Sequence, residues 1–169
     1  VSAAPDKLLD TYTGAAAAYS VRKLDKDYTG NAMRIRRDSD DAETDIGFDS
    51  SGDLDTAAIA SHCGSANGYV VTWYDQANVG GTANNATQST AANQPQIYNG
   101  TAVISENGKP AVKVYTSDAL TLDTSWDSAL ISYFFVASLG GAARERFLFT
   151  DGNLHIRADS SNRYVIVTS

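Results

Sequence analysis

The residues best equipped for chemistry in this chain are Trp73, Tyr74, Asp75 and Gln76, with Asn85 following soon after. An indole or phenol ring can stack on the apolar face of a pyranose, while carboxylate and carboxamide groups bond its hydroxyls. The five residues therefore make a candidate carbohydrate-binding set. A structural reading stands beside it. Asp75 closes a strand-like run and faces a loop rich in backbone donors, so its carboxylate can accept several amide hydrogen bonds and fix that loop. Arg22, Arg36 and Arg37 are in turn available to pair with Asp40, Asp45 or Asp75.

Other chemistries find less support. Asp38, Asp40, Asp41 and Glu43 gather hard oxygen donors of the kind calcium takes, but the spacing is not that of an EF-hand and the loop glycine is missing. A solvated hairpin tip is the expectation there. His62 and His155 lie far apart without metal-ligand spacing. Gly80-Gly81 lacks the Lys-Ser or Lys-Thr that completes a phosphate loop. No metal and no cofactor is expected. Cys63 is the single cysteine, which leaves no internal disulfide and suits a small core residue in a helix.

Composition narrows the classes further. A chain of 169 residues with 43% hydrophobic content can bury one real core. A formal charge of −7 and a pI near 4.6 repel phosphate backbones and anionic lipid, so no nucleic-acid partner is expected. No apolar run approaches the roughly 20 residues that cross a bilayer as a helix, so no membrane insertion is expected.

The elements that must position these residues are mostly strands. A short helix over Pro5 to Asp10 and an extended segment over Ala17 to Leu24 open the chain. Ala32 to Arg36 and Thr44 to Phe48 alternate apolar and polar residues and predict a hairpin across Asp38 to Asp41. Leu54 to Cys63 has helical spacing, with Asp53 or Asp55 to cap it and Gly64 to end it. Tyr69 to Tyr74 predicts a strand, and Ala77 to Asn93 a long polar loop. Asn107-Gly108 predicts a tight hairpin turn, with Ala111 to Tyr115 as the returning strand. Strands are expected again at Ser132 to Leu139, Phe147 to Phe149, Leu154 to Arg157 and Tyr164 to Val167. Together they imply an all-β fold, an antiparallel jelly-roll β-sandwich with one or two short helices, forming a single domain over residues 1–169. The sequence stops just after a strand, so the sandwich is expected to continue in a longer chain or to be closed by a neighbouring subunit.

Four segments recur in a characteristic order: Ala18-Tyr19-Ser20-Val21-Arg22-Lys23-Leu24, Ile35-Arg36-Arg37-Asp38-Ser39-Asp40-Asp41-Ala42, Val71-Thr72-Trp73-Tyr74-Asp75-Gln76, and Asn84-Asn85-Ala86-Thr87-Gln88. In this order the chain resembles the catalytic-domain family of alpha-L-arabinofuranosidase B. It also resembles relatives of that domain in phage and bacterial surface proteins. The likeness spans most of residues 8 to 115 and implies a concanavalin A-like sandwich facing carbohydrate. The family nucleophile is a Glu on a later strand, and the resemblance carries that role to Glu145. Arg144 and Arg146 flank it and favour its ionised form, which suits a nucleophile and a surface ion pair alike. The family's general acid is an Asp near the end of the catalytic domain, and the sequence stops before that region. A second departure concerns cysteine: the family pairs the Cys at position 63 with one at the position of Gly68. The paired cysteines that floor the family's sugar pocket are absent as well.

The well-matched half is scaffold, and the catalytic half is changed or missing. The expectation is therefore a non-enzymatic lectin-like module of a phage virion, as capsid decoration or tail fibre, or of a cell-surface protein. Its role would be assembly or glycan adhesion at a virion surface or outside the cell. Its partners would be other subunits of the same homo-oligomeric assembly, and a surface glycan. The alternatives are a retaining glycoside hydrolase of the arabinofuranosidase type, with Glu145 as nucleophile, and a purely structural shell protein.

Overall fold

The computed structural model describes residues 7–77, 83–115, 117–122 and 136, together with the backbones of residues 146–150, 154–158 and 164–168. The chain divides into two compact units, Val1–Asp123 and Thr124–Ser169. The fold is all-β, with antiparallel sheets and, among the described residues, two short α-helices.

In the first unit the predicted hairpin forms between β1 (Met33–Arg37) and β2 (Glu43–Ile46). Alternation sets its two faces. Met33 and Ile35 meet Ile46 in the core, while Arg34 lies opposite Asp45 and Arg36 opposite Glu43. The turn places Asp41 at φ +58°, a conformation Asp tolerates better than most residues. On its other side β1 pairs with β3 (Asn67–Trp73). The register shifts between Arg34, opposite Thr72, and Ile35, opposite Val70, so Val71 is the extra residue of a bulge.

β3 is the centre of the sheet. One edge takes β1; the other is shared by β4 (Ala86–Thr87), against Thr72 and Trp73, and β5 (Gln96–Asn99), against Asn67 to Tyr69. The expected loop from Ala77 to Asn93 therefore holds a short strand and a 3-10 turn at Ala91–Asn93. Two-residue pairing carries too weak a pattern to be read ahead of the fold. Beyond β5, β6 (Ser105–Glu106) and β7 (Lys109–Pro110) close on Asn107 at φ +49° and Gly108 at φ +75°, the primed turn that Asn-Gly favours. The returning strand is thus β7, not Ala111 to Tyr115. That stretch instead bridges β5, where Lys113 exchanges backbone hydrogen bonds with Gln96 at 2.8 and 2.9 Å. β8 (Thr121–Leu122) adds to β4.

The N-terminal helix α1 is Leu8–Thr11, shorter than expected, and Pro5 lies outside the described residues. The second helix, α2 (Thr56–Cys63), begins where the Asp55 carboxylate accepts from the Ala58 amide at 2.9 Å. It ends at Gly64, φ +59°. Its buried face, Ile59 and Cys63, covers Ile35, Ile46, Val70 and Ile97. Each such aliphatic side chain contributes roughly 1.5–3 kcal/mol of burial.

Gly68 sits under this helix. A β-carbon there would lie 2.7 Å from Cys63 Sγ and 3.1 Å from Tyr98 Cβ. Alanine must therefore displace its neighbours, at a cost of about 1–3 kcal/mol. Cysteine is different, because a β-carbon and the far sulfur of a disulfide are about 3 Å apart when S–S is about 2.05 Å. Gly68→Cys is expected to close a disulfide with Cys63 and stabilise the oxidised protein by about 2 kcal/mol. Urea midpoints with and without reductant test this. A free thiol at both positions after oxidation would refute it.

In the second unit, β9 (Arg146–Thr150), β10 (Leu154–Ala158) and β11 (Tyr164–Thr168) form an antiparallel sheet in the order β11-β10-β9. They fall where the sequence predicts strands. The strand expected at Ser132 to Leu139 lies outside the described residues apart from Val136.

Candidate functional site

β3 delivers Trp73 to Gln76 to the end of the sheet, and the bulge sets which way each side chain goes. Trp73 packs against the core; its Nε1 donates to the Ser20 carbonyl at 3.3 Å and its ring tilts against Tyr19 at 6.3 Å. Tyr74 takes another direction. Its hydroxyl donates to Asp45 Oδ1 at 2.7 Å, and Asp45 also receives Arg34 through Nε at 2.8 Å and Nη2 at 3.0 Å. Burial, reinforced by the hydrogen bond to Asp45, pushes the Tyr74 phenol up to about 12. The Arg34 bond, with help from Tyr74, holds Asp45 below the usual carboxylate range.

Asp75 is only 2% exposed. Its Oδ1 accepts from the amides of Ala18 and Ala77, both at 2.8 Å, and its Oδ2 from the amide of Asn84 at 3.1 Å. Asn85 joins this knot by accepting the Asp75 amide on its side-chain oxygen at 3.0 Å. Around them the Asn84 side chain donates to Ala16 O at 2.8 Å, and the Tyr19 hydroxyl donates to Asn84 O. Burial, with the nearby Asp75 carboxylate, pushes the Tyr19 phenol well above its ordinary value. Gln76 is fully buried: Oε1 accepts from Leu24 N at 2.8 Å, and Nε2 donates to Ser20 O and Arg22 O, each at 3.1 Å.

The five candidate residues thus separate. Asp75, Gln76 and Asn85 come together, but they bind backbone from residues 18–24, 75, 77 and 84. Trp73 belongs to the core side of the same junction. Tyr74 alone joins a polar surface cluster with Arg34, Glu43 and Asp45, which the sequence reading missed. The available signal was the cross-strand register of the predicted hairpin, which sets Arg34 against Asp45.

Arg36 and Arg37 find partners other than Asp75, and Arg22 forms no ion pair among the described residues. Arg36 donates to Asp41 at 2.7 Å and to buried Gln94 at 2.8 Å, with its guanidinium 5.2 Å from the Tyr69 ring centroid. Arg37 grips both oxygens of Asp40, at 2.8 and 2.6 Å, and donates to His62 O at 2.6 Å. Asp38 accepts from the Asn67 amide and side chain, both at 2.9 Å. The acidic turn accordingly ties its own hairpin together through Arg36 and Arg37 and fastens it to β3 through Asn67.

One consequence is a pH dependence. Hydrogen bonding to Arg37, then to the Ala42 amide, lowers Asp40 from an ordinary 3.8 to about 2. A carboxyl depressed by folding stabilises fully above its unfolded value, and that contribution disappears as pH falls through the folded value. Asp40→Asn is therefore expected to flatten the acid-induced loss of stability between about pH 4 and pH 2. Near neutrality, where that contribution is fully present, the variant should be slightly less stable, the loss being small because the pair is exposed, and the two proteins should converge in acid. Urea midpoints across that range check the point, and an unaltered pH slope would count against it.

Glu145 lies outside the described residues. The sequence profile of the family described as alpha-L-arabinofuranosidase B, catalytic, matches residues 8–133, from α1 to beyond β8. No curated protein and no solved structure matches the chain. The family match overturns the expectation of a non-enzymatic lectin-like module, because the family is that of a glycosidase catalytic domain. The burial of Asp75 and Gln76 removes the main physical support of the lectin reading as well.

Proposed function

The chain belongs to the alpha-L-arabinofuranosidase B catalytic family, and from that premise we propose that it is a retaining glycoside hydrolase of arabinofuranosyl linkages. The observation that carries the proposal is the extent of the match, which takes in every described element of the first unit. Retention requires two carboxyl groups about 5–5.5 Å apart, one attacking the anomeric carbon and one protonating the leaving oxygen. Glu145 is our nucleophile, the Glu to which the family resemblance carries that role. Asp75, Gln76 and Asn85 act as positioning residues that hold the strand end and the following loop. Tyr74 is the aromatic group of the set that we assign to sugar contact. A polymeric arabinofuranoside outside the cell is the substrate this activity implies.

The test is hydrolysis of p-nitrophenyl α-L-arabinofuranoside by the full chain, with the first-formed sugar followed by proton NMR. Release of nitrophenol with the α-anomer formed first is the expected result. A β-anomer formed first would refute retention. Cleavage of other aryl glycosides but not this one would refute the arabinofuranosyl assignment.

A further inference from the structure

We propose that the cleft between α1 and the turn at residues 51–53 is an anion subsite that holds the carboxylate of an acidic glycan. It rests on the glycan-directed reading above for the source of the anion. The cleft is lined by Lys7, Arg22 and Lys23, with Leu8 and the Ser51 to Asp53 turn. In a chain of net charge −7, three basic residues line this cleft against one acidic residue, Asp53.

Among the described residues, none of the three cations is in an ion pair. The acids nearby have other duties. Asp10 accepts from the amides of Lys7 and Lys26, Asp27 pairs with Lys26, and Asp49 accepts from the amides of Ser51 and Asp53. The Lys23 ammonium donates to Lys26 O at 2.9 Å, which positions the charge without neutralising it. Lys7 leans over Gly52: its Nζ is 3.4 Å from where a β-carbon on Gly52 would sit. Gly52 has φ +82°, so the turn both needs glycine and leaves the ammonium room. The backbone holds the cleft together, with Lys23 N donating to Gly52 O at 2.7 Å and Leu54 N to Val21 O at 2.9 Å.

The ligand class follows from the remaining lining. Leu8 is 52% exposed, an apolar wall suited to the C–H face of a sugar ring, and Ser51 offers a hydroxyl. A polyphosphate or nucleic acid would gain from this one spot and be repelled by the rest of the surface. A short acidic oligosaccharide, small enough to keep its carboxylates at the cleft, meets the cations with little of that penalty.

Calorimetric titration of the full chain with trigalacturonate, its methyl ester and inorganic phosphate tests the assignment. Trigalacturonate should bind at least tenfold more tightly than the uncharged ester, and added salt should weaken it. The double variant Lys7→Gln, Arg22→Gln should lose at least tenfold in affinity. Arg22→Lys, which keeps the charge, and the distant Lys109→Gln should bind within threefold of the parent. Equal binding of acid and ester, or undiminished binding by the double variant, overturns the proposal. Phosphate binding as tightly as trigalacturonate would also overturn it, leaving a general anion site. Because the readout is binding, a chain that binds trigalacturonate but hydrolyses nothing would keep this subsite and refute only the hydrolase.

Discussion

Glu145→Gln is expected to lower hydrolysis of p-nitrophenyl α-L-arabinofuranoside by roughly four orders of magnitude, about 5.5 kcal/mol of lost transition-state stabilisation. In a retaining reaction the carboxylate attacks the anomeric carbon as the aryloxide leaves, and water later cleaves the glycosyl ester. A carboxamide matches the shape but cannot form that ester. The unfolding midpoint should stay close to that of the parent, which separates lost chemistry from lost folding. A second variant sharpens the assignment. In Glu145→Ala, azide can occupy the vacated space, attack the anomeric carbon and expel the aryloxide, giving a glycosyl azide of inverted configuration. An exposed ion pair between Glu145 and its flanking arginines is worth about 0–1 kcal/mol and predicts neither effect. Undiminished turnover in Glu145→Gln would eliminate Glu145 as nucleophile.

Asp75→Ala is expected to destabilise the first unit by roughly 3–5 kcal/mol, a large share of the 5–15 kcal/mol typical of a domain. The carboxylate is the acceptor for three amides, those of Ala18, Ala77 and Asn84. Leaving a buried donor unmatched costs about 1–3 kcal/mol, and partial access of water keeps the total below the simple sum. Asp75→Asn should cost less, about 2 kcal/mol, because one oxygen remains while the new amide group confronts the Asn84 N–H. Hydrogen exchange gives the second readout. The amides of Ala18 and Leu24 should lose protection together, since Asp75 and Gln76 hold the same N-terminal segment. A cost below about 1 kcal/mol for the alanine variant would mean that water replaces the carboxylate, and the junction would not depend on it.

Local patterns in the sequence determined a good deal. The β1–β2 hairpin follows from period-two alternation, the α2 cap from Asp55 three residues ahead of the Ala58 amide, and the β6–β7 turn from the tolerance of Asn107 and Gly108 for positive φ. These are signals between near neighbours, and the physics that makes them acts over a few residues. The segment order that marks the family is likewise in the sequence itself. The role of Asp75 as an acceptor of loop amides was also legible, because a carboxylate at a strand end has few other uses when buried.

The tertiary structure alone decided which of those acceptors and donors meet. Ala18 reaches Asp75 and Leu24 reaches Gln76 across more than fifty residues, and nothing local names those partners. The bulge at Val71 breaks the alternation that would otherwise predict the directions of Trp73 and Tyr74. One extra residue changes the face of every side chain after it, which is why a set contiguous in sequence divides between the core, a buried knot and the Arg34–Asp45 surface. The resemblance already pairs position 63 with that of Gly68, but only α2 laid over β3 brings Cys63 Sγ within 2.7 Å of where a β-carbon on Gly68 would sit. The cleft of Lys7, Arg22 and Lys23 is likewise unreadable in one dimension, since its third wall, the turn at Gly52, arrives from the far side of the β1–β2 hairpin.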